Sequence, residues 1–363
     1  MFEKSNKKKK IKTTDQENTY KKLLKVLIWV IVLIFFVKLL QKTDIQSIFE
    51  VLKEIPSEIF LILFGLQILT MFLLNYQWYS ISKAIGIKTD FLKMFYISSQ
   101  GTVIESITPG AKIGGELTRS YLVNNCFKCR TADSLSIITI QKIISIGSLI
   151  LLNLTVLLLF PETITDASPV CPAAIKALTV AMVVILTLFI ILLFKPSLIT
   201  GGIGKMNFKS GLFERLKNGL KDYETHVKKI RNKKTLLFQL CLSLVIWALF
   251  PLKLLILTKM FNPNISILGI LFAALISYSI SMIPITPGGL GVFETTLGGF
   301  LIIFGLSIEQ SIATSITFRF FTFWLVIILS LVIIIFQKIY VRTANAANEI
   351  QKMRSGNRIV LEK

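Results

Sequence analysis

Six ionisable side chains stand in or beside apolar runs where a charge is costly: Lys112, Glu116, Arg119, Lys142, Glu294 and Arg319. An acidic or basic residue at bilayer depth costs about 2.5–3.5 kcal/mol on insertion scales and tends to mark a pathway or an ion-binding position. Glu116 and Glu294 share a context. Each follows a Thr-Pro-Gly triplet at the same distance, in "TPGAKIGGE" and "TPGGLGVFE". Pro109 and Pro287 each remove a backbone donor, and Gly110, Gly288, Gly289 and Gly291 permit turns that a regular helix forbids. A chain broken in this way is tolerable in lipid only where it is buried in protein or lines a wet cavity. A half-helix restarting after the break aims free amides and a positive dipole end at that cavity, which suits an anion such as a phosphate.

For the two glutamates, two readings stay open. Each carboxylate could serve only as a partner for the helix dipole and the free amides of the first turn, or it could take part in transport. Arg119, three residues after Glu116, could snorkel, pair with Glu116, or contact a lipid phosphate. Arg319 lies well inside the run Ile312 to Ile335, so it needs a partner, either Glu294 or a bound anionic headgroup. Lys142, within Ile137 to Leu159, and Lys112, within the first break, are candidates of the same kind. The helix-break positions Thr108, Pro109, Gly110, Thr286, Pro287, Gly288, Gly289 and Gly291 complete the candidate site.

These residues must be held by membrane helices. The chain has 363 residues, 53% hydrophobic, with a mean hydropathy of +0.70. Six runs are long enough to cross a hydrocarbon core, which takes about 20 helical residues: about 21–40, 57–82, 131–160, 172–195, 235–258 and 309–341. Regions 91–124 and 265–306 are apolar but interrupted, and read as broken re-entrant hairpins. The expected fold is therefore an all-α integral membrane protein with about six full spans and two broken hairpins. A basic leader, 1–20, precedes a single transmembrane domain over 21–341, and a tail over 342–363 follows it.

The two Thr-Pro-Gly hairpins form an internal repeat with halves at about 57–160 and 235–341, and the shared register sets Gln141 opposite Arg319. Three spans separate the hairpins, so they should enter from opposite faces, as in an inverted repeat. Lys and Arg number 41 against 20 Asp and Glu, a net charge of +21. They gather in 1–22, 83–93, 124–130, 196–234 and 342–363, whereas Pro161 to Cys171 contains no base. This asymmetry predicts cytoplasmic N- and C-termini in the cell membrane and argues against nucleic acid as the partner of the positive charge.

The stretch 205–234 is cationic and amphipathic. It is expected to lie on the inner leaflet or beneath the bundle, with His226 on its polar face. Cys126, Cys129, Cys171 and Cys241 read as incidental thiols. The sequence has no paired nucleophile and base, no phosphate-binding loop and no metal-ligand cluster, so no cofactor is expected.

"TPGAKIGGELTRSYL", "PITPGGLGVFE" and the Arg319 span together resemble the transmembrane flippase domain of the lysylphosphatidylglycerol synthetases, the multiple peptide resistance factor family. The resemblance runs from about residue 20 to 340. The chain departs from it at Gln141-Lys142, where relatives often carry a Glu-Arg pair. The resemblance implies movement of aminoacylated, anionic or polyprenyl-phosphate-linked lipids between leaflets, and a role in antibiotic resistance. Full-length members add an aminoacyltransferase domain for which this chain leaves no room after its last span. Phosphatidylglycerol lysyltransferase activity, the enzyme assignment that the family would suggest, would then need a separate catalytic partner. The expected partners are a membrane phospholipid or lipid-linked precursor, with a homo-oligomer or a separate lipid-modifying enzyme left open.

Overall fold

The computed structural model describes residues 50–108, 113–159, 172–194, 221–229, 232–283 and 286–340. Among these residues every regular element is helical. The chain forms α1 (Ser57–Ala84), α2 (Phe91–Ile107), α3 (Ile113–Phe127), α4 (Thr131–Leu159), α5 (Pro172–Phe194), α6 (Lys233–Phe261), α7 (Ile267–Ser281), α8 (Val292–Ile303) and α9 (Ile308–Arg319). Helix α9 runs through a π-helical turn, Phe320–Trp324, and continues to residue 340.

Helices α1, α4, α6 and the 33-residue Ile308–Tyr340 are long and apolar enough to cross a membrane. Helix α5 has 23 residues, and its apolar stretch is Thr179–Leu193. The expected first span, 21–40, lies outside the described residues. Large apolar side chains such as Leu61, Leu158 and Phe336 stay exposed on these helices, which suits a surrounding hydrocarbon phase rather than water.

Polar residues at the joints set where the helices start. Asp90 accepts from Lys93 N at 3.0 Å to open α2, and Ser266 accepts from Gly269 N at 3.2 Å to open α7. Ser307 and Gln310 form a reciprocal capping box at the start of α9. Each hairpin is an arm-to-arm pair, α2 on α3 and α7 on α8. The first closes tightly on glycine, because a Cβ on Gly115 would sit 2.6 Å from both the Gly101 carbonyl oxygen and the Glu105 Cβ. The same order recurs in both halves: a long helix, a hairpin, a long helix.

Among the described residues the core has three large parts and a small fourth, Ile312 and Ala313 against Val51 and Leu52. One joins α1 through α4 to the 221–229 helix, one packs the second half against α1, and one joins α4 to α6 and α7. Most of the expected amphipathic segment lies outside the described residues, and the part within them packs beneath the bundle. Lys229 Nζ donates to the Ile85 carbonyl at 2.9 Å, and Tyr223 is buried. His226 does not face water. It is buried, with Nδ1 3.1 Å from Ser136 Oγ and Nε2 3.3 Å from Asp133 Oδ1. Periodicity missed this because the polar face of the segment meets the polar start of α4. Burial pushes the imidazole below its ordinary value, outweighing the opposing pull of Asp133.

Candidate functional site

The second break is a run of left-handed turns. Gly288, Gly289 and Gly291 have φ of 60°, 70° and 79°, and a Cβ on Gly288 would also collide with the Phe323 ring at 2.7 Å. Both conformation and space demand glycine there. Helix α8 restarts at Val292, and Glu294 reaches back to accept the Gly291 N–H at 2.7 Å. Its other oxygen lies 3.1 Å from Arg319 Nε. Glu294 thus caps the half-helix and pairs with the buried arginine at once.

Arg319 is held on every side. Its guanidinium donates to the Gly288 carbonyl and is sandwiched near the rings of Phe293 and Phe323, at 4.8 and 4.3 Å from their centroids. The π-helical turn begins at the next residue, Phe320. Such a turn inserts an extra residue into the helix, a feature that often accompanies functional sites.

The first half builds a related cluster with more members. Arg119 is buried and donates to Glu105 Oε2 at 2.9 Å and to Thr102 Oγ1 at 3.1 Å, with Glu116 Oε1 at 3.4 Å. It therefore ties α3 to α2. Lys142 Nζ lies 2.9 Å from the same oxygen of Glu116, while Glu116 Oε2 is buried without a hydrogen-bond partner among the described residues. The glutamate of each half thus pairs with a cation on the following long helix. In the first half that cation is Lys142, one position beyond the register expected from sequence. Gln141 instead donates to Gln77 Oε1 at 3.2 Å.

A cavity of about 370 Å³ lies between the two hairpins, within the roughly 300–1,000 Å³ of typical ligand sites. Thr108 from the first break and Thr286, Gly288 and Gly289 from the second all line it, as do Lys142 and Arg319. Glu105 is on the wall, and Tyr278, Trp247 and Phe250 add an aromatic side. Glu116, Glu294, Gly291 and Arg119 stand behind the wall. Pro287 is part of the 3₁₀ turn Pro287–Gly289. Pro109, Gly110 and Lys112 lie outside the described residues. No cluster of three or more metal-ligating side chains occurs among the described residues.

Sequence reasoning missed Glu105, Gln67 and Lys253. The signals were present: Glu105 is an acid just before the first Thr-Pro-Gly, and Lys253 is a lone base in the apolar run of α6. Gln67 gave none.

The chain resembles three proteins named as UPF0104 membrane proteins. One from Methanothermobacter thermautotrophicus is 22% identical over 274 residues, covering 72% of this chain and 80% of the relative. Another from Methanocaldococcus jannaschii is 21% identical over 296 residues, covering 79% and 87%. A third from Pyrococcus horikoshii is 21% identical over 266 residues, covering 69% and 78%. Residues 22–330 match the family described as the lysylphosphatidylglycerol synthase TM region. With that match over most of its length, on an all-helical fold with several membrane-length helices, the chain belongs to the lysylphosphatidylglycerol synthase TM region family of multi-pass membrane proteins.

Proposed function

We propose that this protein moves an anionic or aminoacylated lipid, or a polyprenyl-phosphate-linked one, between the leaflets of the cell membrane. The observation that carries the proposal is the cavity to which both broken hairpins and the cations Lys142 and Arg319 contribute. Each cation is matched by a glutamate behind the wall, so the cavity can hold its charges in the absence of a headgroup and exchange partners when a phosphate arrives. The repeated order of long helix, hairpin, long helix supports an inverted repeat, in which opposed halves rock about a fixed site. The charge asymmetry of the sequence supports cytoplasmic termini.

Purified protein in liposomes should speed exchange of a fluorescent phosphatidylglycerol probe between leaflets without added ATP. It should form no lysyl-lipid from charged tRNA. No acceleration for phosphatidylglycerol or for a polyprenyl phosphate would refute the proposal. A second reading follows from the family description: the chain could serve as the membrane half of a lysyltransferase whose catalytic domain is encoded separately. Lysyl-lipid synthesis that appears only when a separate aminoacyltransferase domain is added to the chain would favour that reading.

A further inference from the structure

Lys253 is a fully buried lysine in the C-terminal half of α6. Its Nζ donates to Gln67 Oε1 at 2.6 Å and to Thr70 Oγ1 at 3.0 Å, and lies 4.6 Å from the centroid of the Phe250 ring. Among the described residues no carboxylate pairs with it. Gln67, Thr70 and Phe250 are all on the wall of the cavity that Arg319 and Lys142 share.

Lys253 orients its neighbours. Thr70 spends its proton on the Leu66 carbonyl at 2.7 Å and accepts from Lys253 with a lone pair, so its hydroxyl has no donor left to offer. Lys253 Nζ donates to the Gln67 amide, and the end of the amide that faces it is the oxygen. The amide nitrogen, with two N–H groups, is turned away from Lys253, and among the described residues nothing accepts from it.

We infer that Gln67 presents its amide N–H groups to an oxygen of the anionic lipid headgroup, and that Lys253 is the positioning residue that locks the amide in that orientation. The pair makes a third polar contact on α1, outside both hairpins. The inference rests on the lipid-translocation reading of the cavity.

Glutamate and glutamine are nearly isosteric, so Gln67→Glu separates this role from a structural one. One carboxylate oxygen keeps the contact with Lys253 and gains an ion pair, while the donors toward the cavity become an acceptor. Melting temperature should be unchanged or higher. Leaflet exchange of the phosphatidylglycerol probe in liposomes should fall at least tenfold, and so should binding of that probe to the purified protein. Lys253→Met, which frees the amide to turn, should lose a similar factor, and Lys253→Arg should restore most of it. A purely structural Gln67 would leave exchange and binding intact in Gln67→Glu, and that result would overturn the inference. If the unaltered protein binds the probe but does not exchange it, the translocation reading fails while the binding comparison still decides the role of Gln67. Competition by inorganic phosphate shows whether the donor serves a phosphate group alone or needs the lipid, and either outcome upholds the donor role.

Discussion

Glu294→Gln removes the counter-charge of Arg319 while keeping the size of the side chain and an acceptor for the Gly291 N–H. Cap loss is thereby kept out of the measurement. With Nε and Oε1 at 3.1 Å, two unit charges attract by about 5 kcal/mol at an effective dielectric constant of about 20. Part of that is spent on desolvation, and removing one member of a buried pair typically costs about 3–5 kcal/mol because the survivor is left uncompensated. Arg319 keeps the Gly288 carbonyl and two aromatic faces, so the lower end applies: about 3 kcal/mol. Reversible unfolding in mixed micelles reads this directly. In a double-mutant cycle with Arg319→Met, the coupling should reach about 2 kcal/mol, because the second substitution removes the stranded charge. Simple additivity of the two substitutions, or a change below about 0.5 kcal/mol for Glu294→Gln, would show that the pair is not coupled as its geometry implies.

Arg319→Ala should abolish leaflet exchange with the protein still in the membrane, and Arg319→Lys should rescue it only in part, since a point charge replaces a planar fork. Gly115→Ala should cost about 1–3 kcal/mol of stability by pushing α2 from α3, whereas Gly65→Ala, with nothing near its Cβ position, should be neutral or gain up to about 1 kcal/mol. Because burial depresses the His226 imidazole, docking of the 221–229 helix should be strongest above about pH 6.5 and weaken as pH falls below that value. Melting temperatures measured from pH 8 to 5 should show that slope, and His226→Gln should flatten it. In a cysteine-free background, a thiol at Thr165 should react with an impermeant reagent in intact cells and one at Lys217 should not; the reverse pattern would remove the basis for opposed hairpins.

The register of the charged pairs shows where sequence reading stops. Both glutamates were visible from the matched spacing after Thr-Pro-Gly, and Arg319 from its place in an apolar run. The partner of Glu116 was not. Gln141 and Lys142 are adjacent in sequence but point to different sides of α4, and only packing decided that Gln141 faces Gln77 while Lys142 reaches Glu116. His226 moved from a presumed polar face to a buried contact for the same reason: periodicity says which face is polar and not what covers it.

What the sequence determined by itself was the solvent and the local form. Apolar runs of membrane length must be helical because hydrocarbon offers no hydrogen bonds to an open backbone, and Pro and Gly at fixed places must break them. What only the tertiary structure decided was convergence. Lys253 reads in sequence as a stray base in α6 and Gln67 as an ordinary polar residue in α1, 186 positions apart. They become one unit because α1 packs on α6 beside the two breaks. The same packing brings Lys142 and Arg319 to one cavity. Side-chain periodicity records which face of a helix is polar. It carries no information about which other polar face is brought against it, and in a membrane bundle that choice is made by the close packing of the whole set of helices.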